Sequence, residues 1–394
     1  MTTSRIQHLW ALLFLGSALV CASPLRPVTV VVVQFHNTSA YSDLNWVGES
    51  IAETLMDEFQ ANNQIVLGRN SRAAAMHRLS LRPGSEFTKA TLIRLGQALD
   101  ADYLCYGDYD AKLSSGSAEL KDSSVQVSAR FIDLRKMHEG PEISEAGKLA
   151  DLSKLEEHLA WQSLKYLQPG ATAQLDQFIT PGKLIRVDAE ESYIRGLLSS
   201  NREQQQKWFS QAAALDPQFS SPGFELAKLA LERKDYRQAI SWFQHIPSND
   251  PRYPEARFRM GLSAYGSGDY RSAANYFREA ATAFPLNEVY NNLGAAEDRL
   301  NLPVAIDDFR RALDGDQNDP TYLFNLGAAL LKNNYFDEAA KRLQAVIDRN
   351  ADDSEARALL DRAQRREPIE APNERLKQNF DETAFRQLKA MLAK

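Results

Sequence analysis

The feature that most constrains this chain is a motif that returns every 32 to 34 residues through its second half. Ala239, Ala273, Ala305 and Ala339 recur at intervals of 34, 32 and 34, each followed four residues later by Phe243, Phe277, Phe309 or Leu343. Three residues further on come Ile246, Ala280, Ala312 and Val346. Upstream, Leu226-Ala227, Met260-Gly261, Leu293-Gly294 and Leu326-Gly327 keep the same step, and Pro217, Pro251, Pro285 and Pro320 mark the ends. A period of this length means that one supersecondary unit is stacked many times, because each unit buries its apolar face only against its neighbours.

The spacing of small residue, aromatic, small residue and closing proline resembles the tetratricopeptide repeat, a pair of helices stacked into a solenoid. Gly or Ala on the first helix lets its partner approach closely, with the alanine of the second helix expected opposite that notch and the Phe filling the space beyond. Burying one such ring stabilises by about 1.5–3 kcal/mol, and the proline stops the second helix by removing a donor. A weaker first copy spans Tyr193 to Pro217, with Gly196, Phe209 and Ala212, and Ser354 to Arg365 reads as a polar capping helix. About five repeats over 181–365 are therefore expected, followed by a tail helix over 366–394. Phe380, Phe385, Leu388 and Met391 make that tail amphipathic, either folding back on the solenoid, the preferred reading, or docking on a partner.

Such a stack curves, with the first helix of each pair lining its concave side. Phe258, Leu262, Tyr265, Asn291, Phe324 and Leu331 are the groove-facing candidates, together with Ala295 and Ala328. Asn292 and Asn325 occupy one position in successive repeats, and Arg259 holds it in the repeat before. An amide both donates and accepts, so two amides at one repeat spacing suit an extended peptide backbone, while Arg259 suits a carboxylate. The alternative is that each Asn only satisfies neighbouring backbone. The partners implied are proteins or peptides.

The amino-terminal part is built differently. Val28 to Phe35 is a β-branched apolar run of the kind buried on both faces of a sheet, so it is predicted to be central. Asp43 or Asn45 is placed to cap a helix beginning near Trp46, with Ile51, Leu55 and Phe59 on its inner face. Strands are expected at 64–68, 103–109 and 125–133, helices at 71–79, 88–99 and 152–167, and a β-rich turn near Gly140-Pro141. The fold class is thus an α/β or α+β domain over 23–180, followed by an all-α solenoid.

Val30 to Phe35, the Trp46-Val47-Gly48-Glu49-Ser50-Ile51 stretch, Leu99 to Tyr103 leading into Gly107, and Ala129 to Asp133 together resemble the TolB amino-terminal and FlgO/CsgG-like bacterial envelope domains. That resemblance implies an envelope location and membership in assemblies, and carries no catalytic residue. Residues 1–22 read as a signal peptide: Arg5, an apolar run from Leu9 to Val20 and a cleavage site after Ala22. The run is too short to span a bilayer. Lipidation at Cys21 is the rival processing route and the only one that implies a membrane anchor.

Without that segment 45 basic residues face 52 acidic ones, a balance that argues against nucleic acid. Cys105 is then the single cysteine, so no internal disulfide is available. His36, His77, His138, His158 and His245 are scattered without metal-ligand spacing, no glycine-rich phosphate loop is present, and neither cofactor nor catalysis is expected. Asp100, Asp102, Asp108 and Asp110 would be split between the two faces of a strand. The expected role is a binding scaffold of the cell envelope; the alternative is an accessory subunit whose amino-terminal domain senses a small ligand. Oligomeric state is left open.

Overall fold

The structure is a computed structural model that describes residues 28–112, 123–169, 175, 184–370 and 373–379. The signal-peptide segment 1–22, Cys21 and residues 380–394 of the tail lie outside the described residues.

The valine run forms β1 (Thr29–Val32), in which Val30, Val31 and Val32 are fully buried. It lies inside a mixed sheet of order β3-β1-β4-β5-β6, where β3 is Ile65–Val66, β4 Tyr103–Lys112, β5 Ser124–Asp133 and β6 His138–Glu139. Both β3 and β4 run parallel to β1, whereas β4 and β5 form a ten-residue antiparallel ladder. The short β2 (His36–Asn37) adds to β4, and β7 (Ile143–Lys148) adds to β5. The chain after Gly140-Pro141 is therefore a strand rather than part of a turn; its Glu, Gly and Lys conceal a half-exposed edge strand with the burial alternation of one wet face.

Helix α1 (Val47–Ala61) packs on one side of the sheet with Ile51, Leu55 and Phe59 inward. Its N-cap is Trp46, and neither Asp43 nor Asn45 caps it, because Ser42–Leu44 closes into a separate 3-10 turn first. Helices α2 (Arg69–Arg78) and α3 (Lys89–Ala98) cover the other side, with Ala75, Met76, Leu92 and Leu95 against Val31, Val33 and Leu104. Helix α4 (Leu152–Leu167) joins α1 over the first face. The four aspartates do not divide between two faces as expected: Asp108 and Asp110, two residues apart in β4, share a face, with Asp108 paired to Arg130 at 3.0 Å, while Asp102 precedes the strand and accepts from the Thr29 amide at 2.9 Å.

Five helix pairs follow. They are α5 (Val187–Leu198) with α6 (Arg202–Leu215), α7 (Ser220–Glu232) with α8 (Tyr236–Phe243), and α9 (Tyr253–Gly266) with α10 (Tyr270–Ala283). Then come α11 (Asn287–Arg299) with α12 (Ala305–Gly315), α13 (Pro320–Lys332) with α14 (Phe336–Ile347), and the closing helix α15 (Ser354–Gln364). Within each pair the notch is filled by the large side chain of the second helix, not by its alanine. A Cβ on Gly261 would stand 2.5 Å from the Phe277 ring, and one on Gly327 2.8 Å from Leu343. The first pair is not separate from the sheet domain, since Ile194 of α5 belongs to the same core as Ile51 and Leu155.

Candidate functional site: the concave face and the segment it holds

The first helix of every pair faces inward, and on α11 and α13 the inward position carries amides. Asn291, Asn292 and Asn325 are almost fully buried, a costly place for a polar side chain unless its donors and acceptors are all engaged. They are engaged by the chain itself. Residues 373–379 run extended across the concave face, so the described part of the tail is a strand-like segment and not the helix expected there. The change follows from what the amides can do: a helix has already spent its main-chain groups, whereas an extended segment offers a fresh N–H and C=O.

The pairing alternates along the segment. The Arg375 amide donates to Asn325 Oδ1 at 2.8 Å, and its carbonyl accepts from Asn325 Nδ2 at 2.8 Å and Asn291 Nδ2 at 2.9 Å. Two residues on, the Lys377 amide donates to Asn292 Oδ1 at 2.9 Å and its carbonyl accepts from Asn292 Nδ2 at 2.8 Å. Each of Asn325 and Asn292 thus behaves as a neighbouring strand would, taking both main-chain groups of one residue. The two-residue step is the repeat of an extended chain, in which alternate residues point their main-chain groups the same way. Asn325 Nδ2 also donates to Asn291 Oδ1 at 2.8 Å, and Asn291 Nδ2 to Asn292 Oδ1 at 3.1 Å, tying the amides together.

Side chains of the segment then sort by face. Arg375 reaches Asp353 at 2.7 Å and Glu355 at 3.3 Å, with its guanidinium 3.5 Å over the Phe324 ring. Lys377 reaches Asp319 at 2.5 Å and lies 4.9 Å from the Tyr322 ring. Asp319 and Asp353 are N-caps of α13 and α15, so one carboxylate serves both a helix start and a cation of the segment. Glu374 points the other way, accepting from Arg299 at 2.6 Å and from the Tyr265 hydroxyl at 2.9 Å. Leu376 packs among the apolar side chains of the third, fourth and fifth pairs.

Charge states follow this sorting. Burial pushes the Glu374 carboxyl up, opposed by its hydrogen bonds and by Arg299. The hydrogen bond from Arg375 holds Asp353 below the ordinary aspartate value. Burial works against the Arg375 charge, but hydrogen bonds and attraction from Asp353 and Glu355 outweigh it and raise its pKa.

Of the residues singled out from the sequence, Tyr265, Asn291, Asn292, Phe324 and Asn325 surround the segment. Leu262 and Arg259 line the cavity beyond it, and Arg259 pairs with Glu255 of its own helix at 2.7 Å instead of meeting a ligand carboxylate. Phe258 and Leu331, read as groove-facing, are 1% and 0% exposed and belong to the apolar core, as do Ala295 and Ala328. Phe258 stands three residues before its notch glycine, where its ring packs edge-on against Phe277. The carboxylate partner is Arg299 instead, one turn beyond the notch glycine Gly294 on α11. Its repeat-mates are Gly266 and the cation Lys332, the latter paired with Asp298 at 3.3 Å, a repeated signal the sequence reading did not use. Asp319 and Asp353, the N-caps of α13 and α15, were not singled out from the sequence.

The segment leads into a cavity of about 1220 Å³ between the sheet domain and the first three helix pairs. It is bordered by Glu53 and Arg69 on one side, Arg252 and Arg259 on the other, and Gln378 of the segment. At this junction Ser50 of α1 donates to Glu190 of α5, and Thr54 donates to Glu156 of α4 at 2.7 Å. Burial and then the neighbouring Glu190 push the Glu156 carboxyl well up, and burial pushes Glu190 up as well. Burial and then Glu49 drive Glu53 up to about 8. Elsewhere Cys105 is buried in β4, where desolvation raises its thiol far from the reactive range. Among the described residues no group of His, Cys, Asp or Glu side chains is arranged to hold a metal ion. Nor is any described helix long and apolar enough to cross a membrane.

Two family models, both described as tetratricopeptide repeat, match residues 258–322 and 301–363. The helix pairs over residues 258–363 are tetratricopeptide repeats. The repeats are the architecture of a protein–protein interaction scaffold, and no catalytic family is among the matches. No curated protein matches the chain. Among solved structures, YrrB, a TPR protein with an unusual peptide-binding site, is 19% identical over 46% of this chain and 90% of its own, with a TM-score of 0.37. MamA from Desulfovibrio magneticus RS-1 is 21% identical over 42% of this chain and 96% of its own, with a TM-score of 0.38. The pilF protein of Pseudomonas aeruginosa is 19% identical over 45% and 83%, with a TM-score of 0.39. With overlays this local, the repeat assignment rests on the family models and the helix-pair geometry.

Proposed function

We propose that the concave face of the repeats is a peptide-binding groove through which this protein holds an extended segment of a partner protein, as a non-enzymatic scaffold. The observation that carries the reading is the double hydrogen bonding of alternate main-chain residues by Asn325 and Asn292. Amide pairs of this kind take any backbone and leave side-chain choice to the flanking charges. The test is capture of partners by the full chain and by its Asn292→Ala/Asn325→Ala variant. Capture is expected to fall at least tenfold, for about 1–1.5 kcal/mol per lost exchange of hydrogen bonds. Undiminished capture by the variant would remove the groove from the account.

The cell envelope is the setting we assign, on the signal-like segment 1–22 and the resemblance of the sheet domain to envelope modules. A mature chain beginning at Ser23, read by mass from the envelope fraction, is the expected outcome; an unprocessed chain is the contrary one. A second reading, sensing of a small ligand by the sheet domain, is favoured by a cavity of about 550 Å³ beside His36, Thr38 and Tyr106, a size that suits a small molecule. It ranks below the groove because the cations there, Lys89 and Arg130, are already paired with Glu139 and with Asp108 and Glu142. A metabolite that raises the melting temperature of the full chain without affecting partner capture would promote it.

A further inference from the structure

The segment across the groove is chemically ordered: acid, base, apolar, base at Glu374, Arg375, Leu376 and Lys377. Every one of those side chains meets a complementary environment. The acid faces Arg299 and Tyr265, the first base faces Asp353 and Glu355, and the second faces Asp319. The apolar residue enters the repeat core. We propose that residues 374–377 are a built-in copy of the motif this groove recognises. Its partners are proteins displaying an extended acid–base–apolar–base segment, which bind by displacing the chain's own tail. The inference rests on the peptide-groove reading and adds to it both the side-chain chemistry of the ligand and the competitor it must remove.

Two opposed physical features suit the tail to such a role. Its tether is short: helix α15 ends at Gln364, nine residues before Asn373, and Ile369 within that stretch is packed on the last repeats. A tether of this length keeps the segment at an effective concentration of order millimolar, so it competes with any free peptide. Its hold is nevertheless weak enough to lose. Arg375, Lys377 and Arg299 keep roughly a quarter of their side-chain surface in water, where salt screens ion pairs and each adds little. Leu376 is only partly buried, and the seven described residues make no regular structure of their own. Such a segment opens far more often than the repeats beneath it.

The groove is polar in the sense that matters for direction. Asp319 and Asp353 begin helices on one side, and Arg299 ends a helix on the other, so acids of a ligand are drawn to one wall and bases to the opposite one. A segment with its charges exchanged would place acid against Asp353 and base against Arg299. Like charges at hydrogen-bonding distance cost enough to exclude it.

The experiment uses full-length chains and a labelled synthetic peptide of residues 371–381, followed by fluorescence anisotropy. Three chains are compared: the native one; a tail variant, Glu374→Arg/Arg375→Glu, whose groove is unaltered; and that tail variant carrying Asn292→Ala/Asn325→Ala as well. The native chain is expected to bind the peptide at least about tenfold more weakly than the tail variant, because only the native tail competes. The added groove changes should abolish the gain, and a peptide with the two charges exchanged should bind the tail variant at least about tenfold more weakly than the native peptide. Equal binding of native and exchanged peptides would overturn the motif while leaving the groove as a backbone-reading site. Equal binding by native chain and tail variant would overturn the competition. Failure of both peptides on a tail variant that melts like the native chain would remove the groove reading together with the inference.

Discussion

Among the described residues the solenoid meets the rest of its own chain at the sheet domain and at the tail, and these contacts use opposite chemistry. At the sheet domain, α5 meets α1 and α4 through buried carboxyls, Glu190 and Glu156, held by Ser50 and Thr54. In the groove, α11 and α13 meet the tail through buried amides. An amide carries donor and acceptor together and no charge, so it satisfies both main-chain groups of a peptide at any ordinary pH. A carboxyl in the same burial can pair with another only while one of them keeps its proton. The junction is therefore a permanent seam under proton control, whereas the groove is a seat built for exchange, with its charges at the rim.

The largest expected effect tests the seam. Glu53, Glu156 and Glu190 all have folded-state pKa values above the ordinary 4.5, so their contribution to stability is complete below that value and is lost as pH climbs through the folded pKa. For Glu53 the window runs from 4.5 to about 8. One unit of displacement is worth about 1.4 kcal/mol, roughly 2 °C of Tm in a chain of this size. Calorimetry should show Tm falling by at least that much between pH 5 and 9, and Glu156→Gln/Glu190→Gln should flatten the slope. A native profile as level as the variant's would mean that the two contacts do not differ in this way.

A smaller effect tests the seat. Removing the amides with Asn292→Ala/Asn325→Ala should cost about 1–3 kcal/mol, because the freed backbone returns to water. Trypsin cleavage after Arg375 and Lys377 should accelerate at least about tenfold while the repeats stay intact, read by mass spectrometry over a time course. Unchanged cleavage would mean that the charges, not the amides, hold the segment. The smallest effect belongs to the rim: Arg375→Met keeps much of the contact with Phe324 but removes the pairs with Asp353 and Glu355. A loss of about 0.5–1 kcal/mol is expected, with cleavage after Lys377, the site this variant retains, only a few times faster. The difference from the native chain should shrink as salt is raised; a salt-independent difference would place Arg375 in a packing role.

Much of this was legible before any coordinates. The repeat period put Asn292 and Asn325 at one position and the glycine notches at another, because spacing along a helix is a local property that a chain carries with it. The same reasoning erred at Phe258 and Leu331. Phe258 holds the repeat position of Asn291 and Phe324, and Leu331 that of Tyr265, yet both are buried in the apolar core at 1% and 0% exposure, because repeats share the face a position presents while what covers it differs from pair to pair. That reasoning missed Arg299 although Lys332, which pairs with Asp298, holds the same repeat position, and it resolved β7 only as a β-rich turn because an edge strand with charges and a glycine has little apolar signal. The tail helix expected over 366–394 is not seen in the described residues 373–379, while Phe380, Phe385, Leu388 and Met391, on which that expectation rests, lie outside them.

What the amino-acid order determined by itself depends on residues within about one repeat of each other: helix pairs, the small residues of their notches and the buried central strand. What only the tertiary structure decided is which partner the amides find. Asn325 meets Arg375 across 50 positions and Asn292 meets Lys377 across 85. At such separations no periodicity links the two, and the encounter follows from how far the stacked pairs curve before the chain returns.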